Sequence, residues 1–489
     1  MKQSSQPNIL LFLSDQQRRD FLGAYGHNLV RTPHVDRLAQ EGTRFDMAFT
    51  PSAICSPART SLFTGLLPHQ HGIITNCGKQ FGDSGDLSEE IKISSQILSG
   101  AGYQCGYFGK WHIGRQQVPS QFGFLGHDFP GYGYPVVGIW KHLKFPLGWK
   151  GPPNAYADHL ERRKLPIPEV LHAAVGSNPA MKGELYALQS GGPESSLSRF
   201  IADDAIDSIR HFARTGRPFF VVVADWGPHS PCIIPEPYFS MYAPELFEPW
   251  PNARDSLEAK PAVQKKYASM WGAFDMPWSK WQEFLARYAG YCTLIDDEVG
   301  RVVFAVKELG LMDNTMIVYT SDHGDTMGAH RLRDKGPFMY DEIYRIPLVI
   351  RFGKRTQVVE EFVMLQDLFS TFLEAAGVQS GSKTDSRSLM PYLRGEKPLK
   401  IREEFVGEFH GLILPYVQRC IRTRDYKYIF NSQDHDELYN LANDPWELEN
   451  LIANPVFTEK LKELKDRLTE KMVETNDWLL ELWKILRHI

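Results

Sequence analysis

The sequence predicts an α/β fold in which helices sandwich a large, mostly parallel mixed sheet, with a smaller α+β subdomain behind it. Three observations carry this reading. Short continuous apolar runs over residues 8–13, 103–108, 219–224 and 316–320 look like strands buried on both faces, as parallel pairing requires. Amphipathic helical patterns stand between them. At 489 residues the chain is too long for one hydrophobic core, so a main domain over residues 1–395 and a subdomain over 396–489 are expected.

The first run stops at Ser14, Asp15 and Gln16, which puts Asp15 at the carboxyl end of a strand. Thr32 and Pro33 open a helix through Val35, Leu38 and Ala39 that Gly42 closes, with cap, first-turn proline and terminal glycine in place. Pro57 has the fixed φ and missing N–H that suit a first turn, so residues 57–64 are expected to form a helix starting at Cys55. Unpaired N–H groups gather at such an end, a natural seat for an anion. Pro68, His69, Gln70, His71 and Gly72 follow, with His69 and His71 read as turn or core residues, and then Asn76. A helix over 88–99, with Ile91, Ser95 and Leu98 near helical spacing, precedes the strand over 103–108, which ends at Gly109, Lys110, Trp111 and His112.

Residues 115–195 are rich in Gly, Pro and aromatics, among them Tyr132, Tyr134, Trp140, Trp149 and Tyr156, with little periodicity. Together with residues 232–285 they read as loops on the substrate side. A helix over 196–213 leads to the strand over 219–224, whose end carries Trp226, His229 and Ser230. A Trp-rich passage and a helix over 282–309 precede the strand over 316–320, which ends at Asp322, His323, Gly324 and Asp325, with Lys335 ten residues beyond Asp325. Residues 345–350 finish the sheet and 367–376 form a helix. The subdomain should hold strands over 417–422 and 426–430, a helix start at Asp444 and Pro445, and a long terminal helix from about residue 456. Leu461, Leu464, Leu468, Met472, Trp478, Leu479, Leu482, Trp483 and Leu486 give that helix an apolar surface, which either packs on the chain's own body or joins two copies as a homo-oligomer.

Four strands thus end in Asp15, in Lys110 with His112, in His229, and in Asp322 with His323. Ligands of open α/β sheets bind at the carboxyl ends of strands, so one shared edge would gather these groups. Asp15, Asp322 and His323 suit a divalent cation, and Gln16 can add an amide oxygen. The formal charge of −5 argues against nucleic acid held by a general basic field, so positive charge acting on a substrate is local. No apolar run approaches the roughly 18 residues of a membrane span. The polar residues 1–7 run directly into a strand without the apolar core of a signal peptide, which makes a cytoplasmic location the expectation. Cys55, Cys77, Cys105, Cys232, Cys292 and Cys420 have neither the density nor the spacing of a disulfide scaffold, so most should be buried thiols.

Alone, Cys55 before a short helix reads either as an inert core residue or as a nucleophile. The run of Cys55, Pro57 and Arg59 leading to Thr64 and Gly65 resembles the signature of the type I, formylglycine-dependent sulfatases of the alkaline phosphatase superfamily. The resemblance extends from Asp15 to the region of Asp444. It implies an alkaline-phosphatase-like fold, a maturation enzyme that oxidises Cys55 to formylglycine (3-oxoalanine), and hydrolysis of a sulfate monoester to an alcohol and inorganic sulfate. The aldehyde hydrate offers two hydroxyls on one carbon: one attacks sulfur, and deprotonation of the other expels sulfate.

The same resemblance implies one divalent metal, Ca²⁺ foremost with Mg²⁺ or Mn²⁺ as alternatives, on Asp15, Gln16, Cys55, Asp322 and His323. Gln16 stands where the family often has a second acid. Arg59 would brace the hydrate, Lys110 and Lys335 would grip sulfate oxygens, His112 would be the base on the hydrate, and His229 would protonate the leaving oxygen. Substrate contacts fall to Asn76, Lys110, His229 and Lys335. Asn76, and Asp15 followed by Gln16, resemble the choline-sulfatase and phosphonate monoester hydrolase branch, so hydrolysis of a phosphonate monoester or phosphodiester is the alternative. An unmodified Cys55 would leave a metal- or carbohydrate-binding protein with little turnover. The alcohol stays open, because aromatic loops stack equally on a sugar, an aryl group or a quaternary ammonium.

Overall fold

The computed structural model describes residues 6–78, 84–128, 155–175 and 184–487. In chain order the first strands are β1 (Asn8–Asp15), β2 (Thr43–Phe49), β3 (Gln104–Gly109), β4 (Leu125–Asp128), β5 (Val170–Val175) and β6 (Glu184–Gln189). They are followed by β7 (Phe219–Pro228), β8 (Cys232–Pro235), β9 (Thr315–Ser321), β10 (Leu348–Arg351) and β11 (Gln357–Met364). One 8-stranded sheet runs β11-β2-β10-β9-β1-β7-β3-β4. Within it β10 pairs antiparallel with both neighbours, and the other pairings are parallel.

Side chains alternate across a strand, so β1 feeds two cores. Leu10 and Phe12 join the layer of the Leu197–Thr215 and Trp278–Glu308 helices, while Ile9, Leu11 and Leu13 pack with the Cys55–Thr64 and Asp367–Ala375 helices. Each such fully buried aliphatic or aromatic side chain contributes roughly 1.5–3 kcal/mol. With helices on both faces, every position between Asn8, which bonds Thr315 Oγ1 and the Phe219 N–H, and Ser14 near the end is apolar.

β9, β1, β7 and β3 lie side by side and parallel, so their carboxyl ends share one edge. Ser14 pairs with Ser321, and Ala224 pairs with both Leu13 and Gly109, so the residues that follow these strands emerge at one level.

Several expected elements take a different form. The helix that begins at Cys55, as expected, follows β2 rather than β1. The expected helix over 88–99 is reduced to Ser94–Gly100. The Gln96 side chain accepts from the Ile93 N–H at 3.0 Å and starts the helix there, while Ile91 N–H turns back to the Ser88 carbonyl at 3.1 Å. Residues 115–195 are not loop throughout: β4, the Ala155–Arg162 helix, β5 and β6 fall within them, and β5-β6-β8 make a 3-stranded sheet. Residues 232–285 likewise contain β8 and the Ala262–Met270 helix. Tyr132, Tyr134, Trp140 and Trp149 lie outside the described residues.

The carboxyl-terminal part is a 4-stranded antiparallel sheet of β12 (Phe405–Phe409), β13 (Gln418–Arg422), β14 (Tyr426–Asn431) and β15 (Glu437–Asn440). The helix expected at Asp444 and Pro445 is a turn instead. Glu447 adopts φ 53° there, and its carboxylate accepts from buried Lys427 at 2.8 Å, which diverts the chain from a helical path. The terminal helix divides at Asn476, in the left-handed region at φ 56°, into Thr458–Thr475 and Leu480–Arg487. Leu464, Leu468, Met472, Leu479 and Trp483 are buried with Ile421, Tyr428, Phe430 and Leu438. Most of the apolar surface considered for self-association therefore covers the chain's own sheet, while Trp478, Leu482 and Leu486 stay exposed. No helix among the described residues is long and apolar enough to cross a membrane, and all six cysteines are buried and outside disulfides.

Candidate active site

Every residue of the Cys55–Thr64 helix is buried. Its two threonine hydroxyls are satisfied within the helix, Thr60 Oγ1 donating to the Ser56 carbonyl and Thr64 Oγ1 to the Thr60 carbonyl, each at 2.8 Å. Gly65, at φ 73°, closes it. At its start the Ser56 N–H, one of the orphan donors of a first turn, is met by Asn76 Oδ1 at 3.1 Å. Asn76 therefore holds the end of the helix that presents Cys55. Cys55 Sγ lies 3.2 Å from His323 Nε2, and its S–H points to Asp15 Oδ1 at 3.8 Å. Burial pushes the thiol up to about 12, so an unmodified Cys55 is a protonated thiol at neutral pH and a poor nucleophile.

Asp15, Cys55, Asp322 and His323 are all buried, and each offers one donor atom within 4.8 Å of the others. His323 Nδ1–H donates to the Gly324 carbonyl at 2.8 Å, which leaves the Nε2 lone pair facing the cluster. Burial brings this imidazole down to about 3, so it is neutral. Burial opposes ionisation of Asp322, yet the positive groups around it, Arg59 among them, hold it well below the usual carboxylate range. Gln16 takes φ 62°, and its backbone N–H donates to Asp322 Oδ1 at 3.0 Å. Its side-chain oxygen accepts from Lys335 Nζ and its amide nitrogen donates to Asp325. Two carboxylates and an imidazole nitrogen, with a neutral amide beside them, suit a divalent cation. A second group, His34, Asp296 and Asp297, differs in kind: the Asp296 carboxylate caps a helix by accepting from His34 and Val35 N–H at 3.0 and 2.8 Å.

Arg59 spans both carboxylates. Its Nε donates to Asp322 Oδ2 at 2.8 Å, one terminal nitrogen to Asp15 Oδ2 at 3.2 Å, and the other to the Lys110 carbonyl at 2.6 Å. Lys110 Nζ pairs with Asp15 and lies 4.6 Å from the centre of the Trp226 ring. Burial pulls this ammonium down to about 7. Lys335 is opposite in sign: burial works against its charge, and Asp334 at 3.0 Å overrides it and raises the ammonium above its ordinary value. Lys335 Nζ also stands 3.1 Å from His229 Nε2, while His229 Nδ1–H donates to the Ser230 carbonyl. Burial, with Lys335 and Lys110 nearby, keeps His229 well below its ordinary value. His112 adopts φ 58°, and its Nε2–H donates to the Cys77 carbonyl at 3.2 Å, so the basic lone pair is on Nδ1.

Asp15, Gln16, Cys55, Arg59, Lys110, His229, Asp322, His323 and Lys335 thus form one connected network at the sheet edge. Asn76 touches it through the start of the helix, and His112 through the Cys77 loop. Trp226, whose ring also lies 5.0 Å from that of His229, was not singled out from the sequence, and neither were Asp325 and Asp334. Trp226 directly follows a buried strand run, where an aromatic residue reads as core.

The chain matches the family described as Sulfatase over residues 7–378, and N-sulphoglucosamine sulphohydrolase, C-terminal, over residues 328–474. It is similar to the uncharacterized sulfatase YidJ of Escherichia coli K12, at 30% identity covering 98% of this chain and 90% of that protein. The N-acetylglucosamine-6-O-sulfatase of Bacteroides thetaiotaomicron is 26% identical, covering 97% of this chain and 88% of its own. Among solved structures, the phosphonate monoester hydrolase of Agrobacterium radiobacter superposes with a TM-score of 0.76 at 25% identity, covering 96% of each chain. A family match over most of the chain, on the same strands that converge at Cys55, shows that this protein belongs to the sulfatase family of the alkaline phosphatase superfamily.

Proposed function

We propose that the chain hydrolyses the sulfate monoester of a carbohydrate, with Cys55 carried to 3-oxoalanine by a formylglycine-generating enzyme. The observation that supports this most is the setting of Cys55: the amino end of a fully buried helix, 3.2 Å from a neutral histidine, facing two carboxylates. As a thiol it is held protonated, so chemistry at this position calls for a different functional group. When present, 3-oxoalanine supplies a hydrated aldehyde as nucleophile, and a divalent cation supplies the Lewis acidity that activates it.

The chain's own residues do the rest. Asp15, Asp322 and His323 would hold the cation, with Gln16 adjoining, and Arg59 keeps the two carboxylates in place. Lys110 and Lys335 present positive charge to the oxygens of the ester, where negative charge builds up as the S–O bond breaks. His112, whose Nε2–H is held by the Cys77 carbonyl, would take the proton from the hydrate at Nδ1. His229 Nε2 faces the Lys335 ammonium, and it would pass a proton drawn from that ammonium to the departing oxygen. A carbohydrate alcohol agrees with the relative from Bacteroides thetaiotaomicron, whose name records an N-acetylglucosamine sulfate.

Phosphonate monoester hydrolysis is the second reading, favoured by Gln16 after Asp15 and by the likeness to the Agrobacterium radiobacter enzyme. Both substrates are monoanions, so the field of the site treats them alike. Initial rates on 4-nitrophenyl sulfate and on a 4-nitrophenyl phosphonate monoester, at equal concentration, separate the two readings. A higher kcat/KM on the sulfate is expected, and a higher value on the phosphonate would reverse the assignment.

A further inference from the structure

We propose that Arg333 recognises a second anionic group on the substrate, a carboxylate or a further sulfate carried by the alcohol part. This rests on the sulfatase reading above. Arg333 stands two residues before Lys335 in the segment after β9, and it is only 5% exposed. Among the described residues no carboxylate pairs with its guanidinium and no hydrogen bond engages it, and Nε is sealed from solvent without an acceptor. Other buried arginines are treated differently: Arg18 bonds Asp20, Arg59 bonds Asp15 and Asp322, and Arg419 bonds Asp477.

The surroundings of Arg333 belong to the active site. Its guanidinium lies 5.3 Å from the centre of the Trp271 ring, and one helical turn before Trp271 the Tyr267 hydroxyl donates to the Lys335 carbonyl at 2.6 Å. Cys232, three residues after His229, feels its charge. Arg333 therefore lies near the segments that carry Lys335 and His229. Asp325 and Asp334 lie within electrostatic reach, but neither forms an ion pair with it, and three of their four oxygens serve other donors. Asp325 Oδ1 accepts from the Met327 and Asp334 N–H groups, Oδ2 accepts from Gln16, and Asp334 Oδ1 accepts from Lys335.

A guanidinium carries five N–H donors in a rigid plane. Burying that cation with its donors unmet is costly, and an oxyanion that takes two parallel N–H bonds removes the cost. The ester under attack already faces Lys110 and Lys335, so the anion that Arg333 meets is a different one. A neutral alcohol would leave it as it stands.

The test is kcat/KM for inorganic sulfate release on two substrate pairs, each differing by one anion. N-acetylglucosamine 6-sulfate is set against glucosamine N,6-disulfate, and galactose 2-sulfate against galacturonic acid 2-sulfate. The wild-type enzyme should prefer the more anionic member of at least one pair by on the order of 10- to 100-fold, the size of one hydrogen bond to a charged group. Which pair shows the preference tells sulfate from carboxylate. Arg333→Gln should erase that preference and Arg333→Lys should keep part of it. Equal rates within both pairs for the wild type, or a preference that survives Arg333→Gln, would overturn the proposal while leaving the sulfatase reading intact. No sulfate release from any of the four, nor from 4-nitrophenyl sulfate, would overturn both.

Discussion

Arg59 Nε donates to Asp322 Oδ2 at 2.8 Å, and the same guanidinium reaches Asp15 Oδ2 at 3.2 Å, with all three side chains sealed from solvent. One cation thus bridges two buried carboxylates, Asp15 at the end of β1 and Asp322 directly after β9. Arg59→Ala removes it, taking from Asp322 its guanidinium partner and leaving Asp15 with Lys110 alone, a change that costs about 3–5 kcal/mol when a buried pair is broken from one side. Urea denaturation at neutral pH should show a loss of this size. Added Ca²⁺ should raise the midpoint of the variant more than that of the wild type, because the ion supplies the missing positive charge.

His229 sits with Nε2 3.1 Å from Lys335 Nζ, where a leaving oxygen would depart. A sugar alkoxide needs a proton in the transition state, whereas nitrophenolate leaves nearly unaided. His229→Ala should therefore lose on the order of 100- to 10,000-fold on a sugar sulfate and far less on 4-nitrophenyl sulfate. Equal losses on the two substrates would remove the acid role from this residue.

A pH-dependent term in stability comes from His69, read from the sequence as a turn or core residue. Its Nδ1 lies 2.7 Å from Glu408 Oε1, and although burial opposes the charged form, Glu408 wins and lifts the imidazole to about 8 from an ordinary 6.5. The folded value lies above the unfolded one, so this contribution is fully present below about 6.5 and disappears as pH rises through about 8. His69→Gln should cost more stability at pH 6 than at pH 9.5 by urea titration. A cost independent of pH would mean that His69 acts through packing alone.

The strands that carry the site were legible because burial on both faces writes them as unbroken apolar runs, each halted by the polar residue that functions. β2 escaped notice because Arg44 and Asp46 interrupt it, and in the fold these two answer each other at 2.9 Å. Glu447 marked no helix start because its partner, Lys427, lies on a different element. Arg59 was legible as a member of a motif, but its hold on Asp15 and Asp322 joins residues 44 and 263 positions apart, which no local pattern records. Trp226 against Lys110, and Arg333 with no carboxylate paired to it among the described residues, are likewise properties of packing.

Sulfate ester hydrolysis turns on the chemical state of position 55. The most direct measurement is the mass of the proteolytic peptide containing Cys55, taken from protein whose sulfate release on 4-nitrophenyl sulfate has been recorded beside that of Cys55→Ala. Active protein should carry the lighter aldehyde form, in which a carbonyl oxygen replaces the thiol. Turnover should scale with the aldehyde fraction, and the Ala variant should fold and be inactive. Full turnover from protein whose Cys55 is entirely an unmodified thiol, or wild-type activity in Cys55→Ala, would contradict the account.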